Sequence, residues 1–219
     1  MKTIAYLLVG LLVMFNLTAC DVQADPVTES LVEEDVAVDA VDEELMQTPV
    51  FSTLPGDLNE EEVAGLMLMR EEEGLAQDVY LYFYGKFGLR IFSNIAKSEA
   101  RHTAAVLALI NHFELTDPAT GEQGTYSDPD LGILYEQLTA QGATINDALA
   151  VGAYIEEYDI NDLKGLISET QNPDLKRVYG NLLRGSGFHL KAYTRMLKVR
   201  GVIYEPQILS QETYELILK

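Results

Sequence analysis

Ser98-Glu99-Ala100-Arg101-His102 interrupts an otherwise apolar helical face. That face reads Ile95, Glu99, His102, Val106, Leu109 and Phe113, in steps of three and four residues. This is the repeat of a helix that buries one side. A carboxylate and an imidazole three residues apart project from the same side of such a helix. A buried carboxylate is strongly disfavoured unless it is paired, protonated or bound to a metal. The stretch therefore predicts a helical protein with a polar layer inside its core.

Three more faces carry the same kind of interruption. Leu66, Met69, Glu73, Ala76, Tyr80 and Phe83 share one face, on a helix expected from Glu60 to about Gly85. Asn59 and Glu62 have the spacing of a capping box at its start. Leu149, Gly152, Glu156, Asp159 or Ile160, and Leu163 align on a helix that Thr144 caps. Leu175, Val178, Leu182, Ser186, His189, Tyr193 and Met196 align on a last long helix. Asn172-Pro173 opens that helix as cap and first-turn proline, and Gly201 stops it. Ser93 is the expected cap of the helix bearing Glu99, which ends near Phe113. A Gly-, Pro-, Asp- and Thr-rich connection follows from Leu115 to Pro129, with a short helix near Leu131–Leu138. The tail from Tyr204 to Leu218 reads as a short packing helix.

Connection lengths carry the topology. The first two long helices are joined by about eight residues, and so form an antiparallel pair; the last two do likewise. Some thirty residues separate the pairs. Two hairpins joined by one long crossover is an arrangement known for four-helix bundles. The fold class is all-α.

Glu73, Glu99, His102, Glu156 and His189 then stand near the middle of four apolar faces that carry no Lys or Arg. A divalent metal is the partner that makes them tolerable together. Mixed oxygen and imidazole ligands suit iron, manganese or zinc. Other acids and histidines have plainer readings. Glu72 lies on a partly apolar face, Glu157 on a wetter one where it is expected to be solvated. His112 reads as a surface or capping histidine at a helix end.

The pattern resembles the ferritins and rubrerythrins. Glu73-x-x-Ala76-x-x-x-Tyr80 looks like their first ligand helix, Ser98-Glu99-x-x-His102 like the second, Gly152-x-x-x-Glu156 like the third and Gly185-Ser186-x-x-His189-Leu190 like the fourth. Over roughly residues 55–200 it is most similar to an uncharacterised bacterial and archaeal family grouped with the ferritin-like superfamily. The resemblance implies a ferritin-like four-helix bundle around a carboxylate-bridged centre of two metal ions, usually iron. Glu99 would bridge or chelate, His102 and His189 would be terminal imidazoles, and Glu73 and Glu156 the ligands from the other two helices. Tyr80 would be a hydrogen-bonding or redox-active neighbour. One departure stands out: the family pattern carries Glu where this chain has Ser186. Asp159, three residues after Glu156, is the candidate to replace that carboxylate.

Upstream of the domain, Ile4 to Phe15 is apolar apart from Tyr6 and Gly10, and Lys2 precedes it. This run is too short to span a bilayer and reads as a secretory signal, residues 1–19. Leu17-Thr18-Ala19-Cys20 resembles the lipobox of bacterial lipoproteins, which implies acylation of Cys20, the chain's single cysteine. Lipidation leaves no thiol for a disulfide or a thiolate metal site. Asp21 to Glu62 holds fourteen acidic residues and no Lys or Arg, so residues 20–50 read as a solvated tether before a domain at 51–219. The net charge of −20 excludes nucleic acid and leaves membrane contact to the acyl chains. The expected location is the cell envelope, on the exported side. The expected function is an oxidoreductase that reacts with peroxide or oxygen at iron. The alternative is a non-catalytic scaffold or metal-sequestering lipoprotein. A homodimer is left open.

Overall fold

The capping signals in the sequence set most of the helix starts. In the computed structural model, which describes residues 51–52, 54 and 58–219, helix α1 spans Glu60–Phe87. Asn59 accepts from the Glu62 amide while Glu62 accepts from the Asn59 amide, closing both ends of the capping box. Gly88 ends the helix at φ +66°, a conformation open to glycine at little cost. Helix α2 spans Arg90–His112, so it begins three residues before the expected cap. Leu89 holds the cap position without a side-chain hydrogen bond, and Ser93 instead donates to the Arg90 carbonyl. The short Gly88-Leu89 link leaves no room for a longer loop. Helix α3 spans Pro129–Gln141, α4 Ile145–Glu169, α5 Pro173–Val199 and α6 Gln211–Leu218. Thr144 and Asn172 cap α4 and α5 as their residue types predict. The described residues form six helices and no strand, and the protein is all-α. None of these helices is long and apolar enough to cross a membrane. Cys20, the signal segment 1–19 and the tether 20–50 lie outside the described residues.

Two apolar clusters show how the long helices run. One contains Val79, Tyr80, Phe83, Phe92, Ile95, Leu149, Val151, Leu190 and Tyr193. The other contains Leu66, Met69, Val106, Leu109, Leu163, Leu175 and Leu182. Along α1 the chain passes from the second cluster to the first; along α2 it returns. Helix α4 runs from the first to the second and α5 back again. The pairs α1/α2 and α4/α5 are therefore antiparallel, and the crossover carries the chain back from Phe113 to the far end before α4 starts.

Buried and half-buried acids pin the irregular segments to this frame. Glu71 accepts from the amides of Ser127 and Asp128, and Asp78 from the Gly124 amide and the Tyr126 hydroxyl. The expected solvated position of Glu157 is wrong. It is 0 % exposed and accepts from the Tyr204 hydroxyl and the amides of Gln207, Ile208 and Leu209. The tail is helical only from Gln211; the stretch before it folds over α4 and buries what seemed a wet face. His112 is half-buried and stacks on Phe51, with ring centroids 4.5 Å apart.

Candidate metal centre

Between the two apolar clusters lies a layer of polar, mostly titratable side chains, one turn or so deep, contributed by all four long helices. Glu73 comes from α1, Glu99 and His102 from α2, Glu156 and Asp159 from α4, and Ser186 and His189 from α5. Each is buried. The helical repeat that packs the residues above and below this layer also aims its side chains inward.

Glu99 occupies the middle. Its Oε2 lies 2.7 Å from His102 Nδ1, and its Oε1 lies 2.8 Å from His189 Nδ1. Glu73 Oε2 stands 3.1 Å from His102 Nδ1 on one side. Glu156 Oε2 stands 3.4 Å from His189 Nδ1 on the other. The two imidazoles stack with centroids 5.4 Å apart and planes inclined by 24°. The result is two sets of three ligands, Glu73/Glu99/His102 and Glu99/Glu156/His189, which share Glu99. Within each set the ligand atoms lie within 4.8 Å of one another. Metal–oxygen and metal–nitrogen bonds of about 2.0–2.2 Å allow donor atoms up to roughly 4.4 Å apart on one ion, and the pairs at 2.7, 2.8, 3.1 and 3.4 Å fall inside that reach.

Hydrogen bonding does not account for this cluster. Glu73 Oε1, Glu99 Oε1 and His189 Nδ1 have no hydrogen-bond partner. His189 Nδ1 and Glu99 Oε1 are near enough for an ion pair yet off the line of a hydrogen bond. Buried polar atoms are nearly always satisfied, so three such atoms within one layer, two of them facing each other, call for an occupant. The donors present, carboxylates and imidazoles, fit a divalent cation.

The surroundings hold the ligands in place. His189 Nε2 lies 2.9 Å from Ser98 Oγ. In the tautomer that frees Nδ1 for a cation, Nε2–H donates to that hydroxyl and fixes the ring. Tyr80 donates to Glu156 Oε1 at 2.5 Å and approaches the Gly152 carbonyl at 3.4 Å. Gly152 is needed here, because a Cβ would lie 2.6 Å from the Tyr193 ring. Ser186 donates to Asp159 Oδ2, and its Oγ also lies 3.0 Å from the Leu182 carbonyl. Asp159 thus fills space beside Ser186, with Oδ1 unpartnered, but falls outside both ligand sets.

The electrostatics follow from burial and these neighbours. Burial raises Glu73 well above the usual carboxylate range, Asp159 adds to that, and His102 only partly offsets it. Burial would raise Glu99 as well, but His189 and His102 together hold it below that range. Burial and the nearby Glu156 and Glu99 push Asp159 up to about 8, against the bond from Ser186. Burial would lower His189, yet Glu99 and Glu156 carry it up to about 10. Tyr80 is pushed well above its ordinary value by burial and by Glu156. A cation held by Glu99, Glu156 and His189 would replace the proton that His189 otherwise keeps.

Five of the six proposed ligands are thus brought together, with Tyr80 against one of them; Asp159 sits beside them. Neither Ser98, quoted only as part of its motif, nor Glu72, given a plainer reading, was assigned a place at the site. Ser98 could have been found from its place one residue before Glu99, which puts it within about 100° of the same helix face. Glu72 was set aside for its neighbour Glu73, yet it is buried too, and it faces Asp162 rather than the ligand sets.

Fold and site together define an all-helical protein with buried Glu/His groups that can hold a metal ion. The chain belongs to the family described as uncharacterized protein domain DUF2202, whose model matches residues 62–219. It is similar to the uncharacterized protein MJ0754 of the archaeon Methanocaldococcus jannaschii, at 46 % identity over 171 residues, 77 % of this chain and 92 % of that one. The crystal structure of hypothetical protein MJ0754 superposes with a TM-score of 0.74 over 76 % of this chain and 97 % of that one.

Proposed function

We propose that this chain is a ferritin-like protein whose layer of acids and imidazoles holds two metal ions, iron first among the candidates and manganese or zinc as alternatives. Its reaction on this reading is the reduction of peroxide or oxygen. The observation that carries the proposal is the pair of ligand sets sharing Glu99, with orphaned donor atoms in both.

Bound ferrous ions would supply the two electrons that convert hydrogen peroxide, with two protons, into two waters. The chain's own residues do the rest. Glu99, common to both sets, would hold the two ions through one carboxylate. His102 and Glu73 complete one position, His189 and Glu156 the other. Tyr80 holds Glu156 by its hydroxyl and is the nearest phenol to the centre, so it is the candidate redox-active or proton-donating group. Ser186 leaves one side without a second bridge, and Asp159, its hydrogen-bonded neighbour, is the carboxylate best placed to move in. The two apolar clusters keep bulk water away from both positions. On the same reading, Cys20 carries the lipid anchor and the acidic tether spaces the domain from an envelope membrane.

Anaerobic reconstitution with ferrous iron tests this. About two equivalents bound, with an absorption change on adding peroxide, is the expected result. Less than half an equivalent, unaltered when Glu99 and His102 are both replaced by alanine, would make the protein a helical scaffold. Two equivalents with no response to peroxide or oxygen would make it a metal-sequestering module.

A further inference from the structure

The chain's net charge is −20, yet its positive charge is gathered on two helices. Three Lys or Arg on α2 and six on α5 make nine of the fifteen in the whole chain. The acids of these helices, Glu99 and Asp174, are both buried. Arg177, Arg184, Lys191, Arg195 and Lys198 recur on α5 in steps of seven, four and three, so they share one outer face. Arg90, Lys97 and Arg101 share one on α2 in the same way. All are exposed or half-buried. Arg184 bonds Asn181 and Lys191 lies over the Phe188 ring, and both of these partners are neutral. The two helices run antiparallel side by side, with His189 meeting Ser98 between them. Their basic stripes therefore border one another on the outside of the bundle, and no acid of α2 or α5 is exposed among them.

Phe51 and Ser52 mark where the preceding chain arrives. Ser52 donates its amide to Asp174 at 2.8 Å, Phe51 stacks on His112, and the Arg177 guanidinium lies 5.9 Å from the Phe51 ring centroid. His112 ends α2 and Asp174 lies in the first turn of α5, so the chain enters the domain at one end of the basic face. Residues 21–50, outside the described residues, come just before that point. They hold ten acids, from Asp21 to Glu44, and no Lys or Arg. From Arg177 to Lys198 the face is about 32 Å long at 1.5 Å per residue. The stretch from Glu29 to Glu44, with eight of the ten acids, can reach up to about 50 Å. Sign of charge, length and point of entry all match.

We propose that the acidic segment 21–50 of this chain docks on the basic face of α2 and α5. One exposed ion pair contributes little. Here many act together, and the covalent link holds the acids at an effective concentration in the millimolar range. Screening weakens such contacts, so the segment comes off as ionic strength rises. While docked it covers the positive surface with which the domain would otherwise meet anionic lipid. The acidic segment is then part of the domain's surface as well as its spacer. The inference does not depend on the metal centre.

Full chains carrying Cys20→Ser, so that no acyl group intervenes, test this at ~0.01 M and ~1 M salt, where charges are screened over about 30 Å and 3 Å. Carbodiimide joins a carboxylate to an amine only where the two meet. In a mixture of isotopically light and heavy chains, links are expected from the acids of residues 21–44 to Lys97, Lys191 and Lys198, within one chain, at low salt and not at high. Equal linking to Lys86 of α1 and Lys164 of α4 overturns the proposal, as does the absence of links. Links only between light and heavy chains also overturn it, because a second copy is then the occupant. Phosphatidylglycerol vesicles give a second readout. Glu33→Gln, Glu34→Gln, Asp35→Asn, Asp42→Asn, Glu43→Gln and Glu44→Gln together should tighten binding to them at least tenfold at low salt. Adding Lys97→Gln, Arg184→Gln and Lys191→Gln should remove that gain. Binding by the wild type as tight as by the neutralised chain overturns the docking, because lipid and not the segment then occupies the face.

Discussion

Glu99 shows why a residue's meaning lies in its neighbours. On its own helix it is one acid in an apolar stripe. In the folded chain its two oxygens face two imidazoles from different helices, and this keeps it ionised where burial alone would protonate it. His189 is the counterpart. Its pKa near 10 means that the metal-free protein carries a proton there at neutral pH. Metal uptake must expel it, so calorimetric titrations at pH 7.5 in buffers of different ionisation enthalpy should report release of about one proton per centre or more. No buffer dependence would show that His189 is not a ligand. Tyr80 acts through Glu156. Tyr80→Phe should keep two equivalents of metal but weaken the affinity about 10–100-fold, as loss of a ligand's hydrogen-bonding partner does elsewhere. Restored affinity in Glu156→Gln, which has no charge for a phenol to stabilise, is not expected. Equal affinities in wild type and Tyr80→Phe would remove Tyr80 from the site.

Among the elements, α1, α4 and α5 were legible because caps and apolar period agreed with one another. Asn59/Glu62, Thr144 and Asn172-Pro173 are local devices, and local devices can be read locally. The start of α2 was not legible, since Leu89 is a cap by position only and the Gly88 turn decides where the helix begins. Glu157 was misread because its partners lie about fifty residues downstream, in a segment with no regular pattern. Glu157→Ala should strand the Tyr204 hydroxyl and three amides. Losing that set should cost about 3 kcal/mol or more, since each unsatisfied buried group costs roughly 1–3 kcal/mol. Hydrogen exchange should show residues 204–218 losing protection while α1 and α2 keep theirs. Uniform loss across the chain would mean that the clamp is part of the global core rather than a local strap.

At the scale of the whole molecule, the layer of acids and imidazoles weakens the metal-free fold as pH rises. An Asp whose folded pKa is about 8, against an ordinary 3.8, binds a proton in the folded state that the unfolded chain has released. Stability therefore falls between those two values. His189 contributes in the same direction: its gain is complete below its ordinary 6.5 and is lost as pH climbs through about 10. Thermal melts in chelator should thus show a lower Tm at pH 9 than at pH 6. A higher Tm at pH 9 would contradict the burial of Asp159 and the pairing of His189. Saturating metal should raise Tm and flatten the trend, since a ligand at 1,000 times its Kd adds about 4 kcal/mol.

The chain's residues alone determined that the fold would be helical, where most helices start, that the pairs α1/α2 and α4/α5 would run antiparallel, and which faces carry Glu73, Glu99, His102, Glu156 and His189. Those are properties of period, cap and loop length, and they act over a few residues. Only the tertiary structure decided that Glu99 spans both imidazoles, that Asp159 stands beside the ligand sets and not within them, that Glu157 grips the tail, and that Glu72 is buried against Asp162. Each depends on distances between helices far apart in the chain. Side-chain direction at that range is set by packing of the two apolar clusters, which no local pattern encodes.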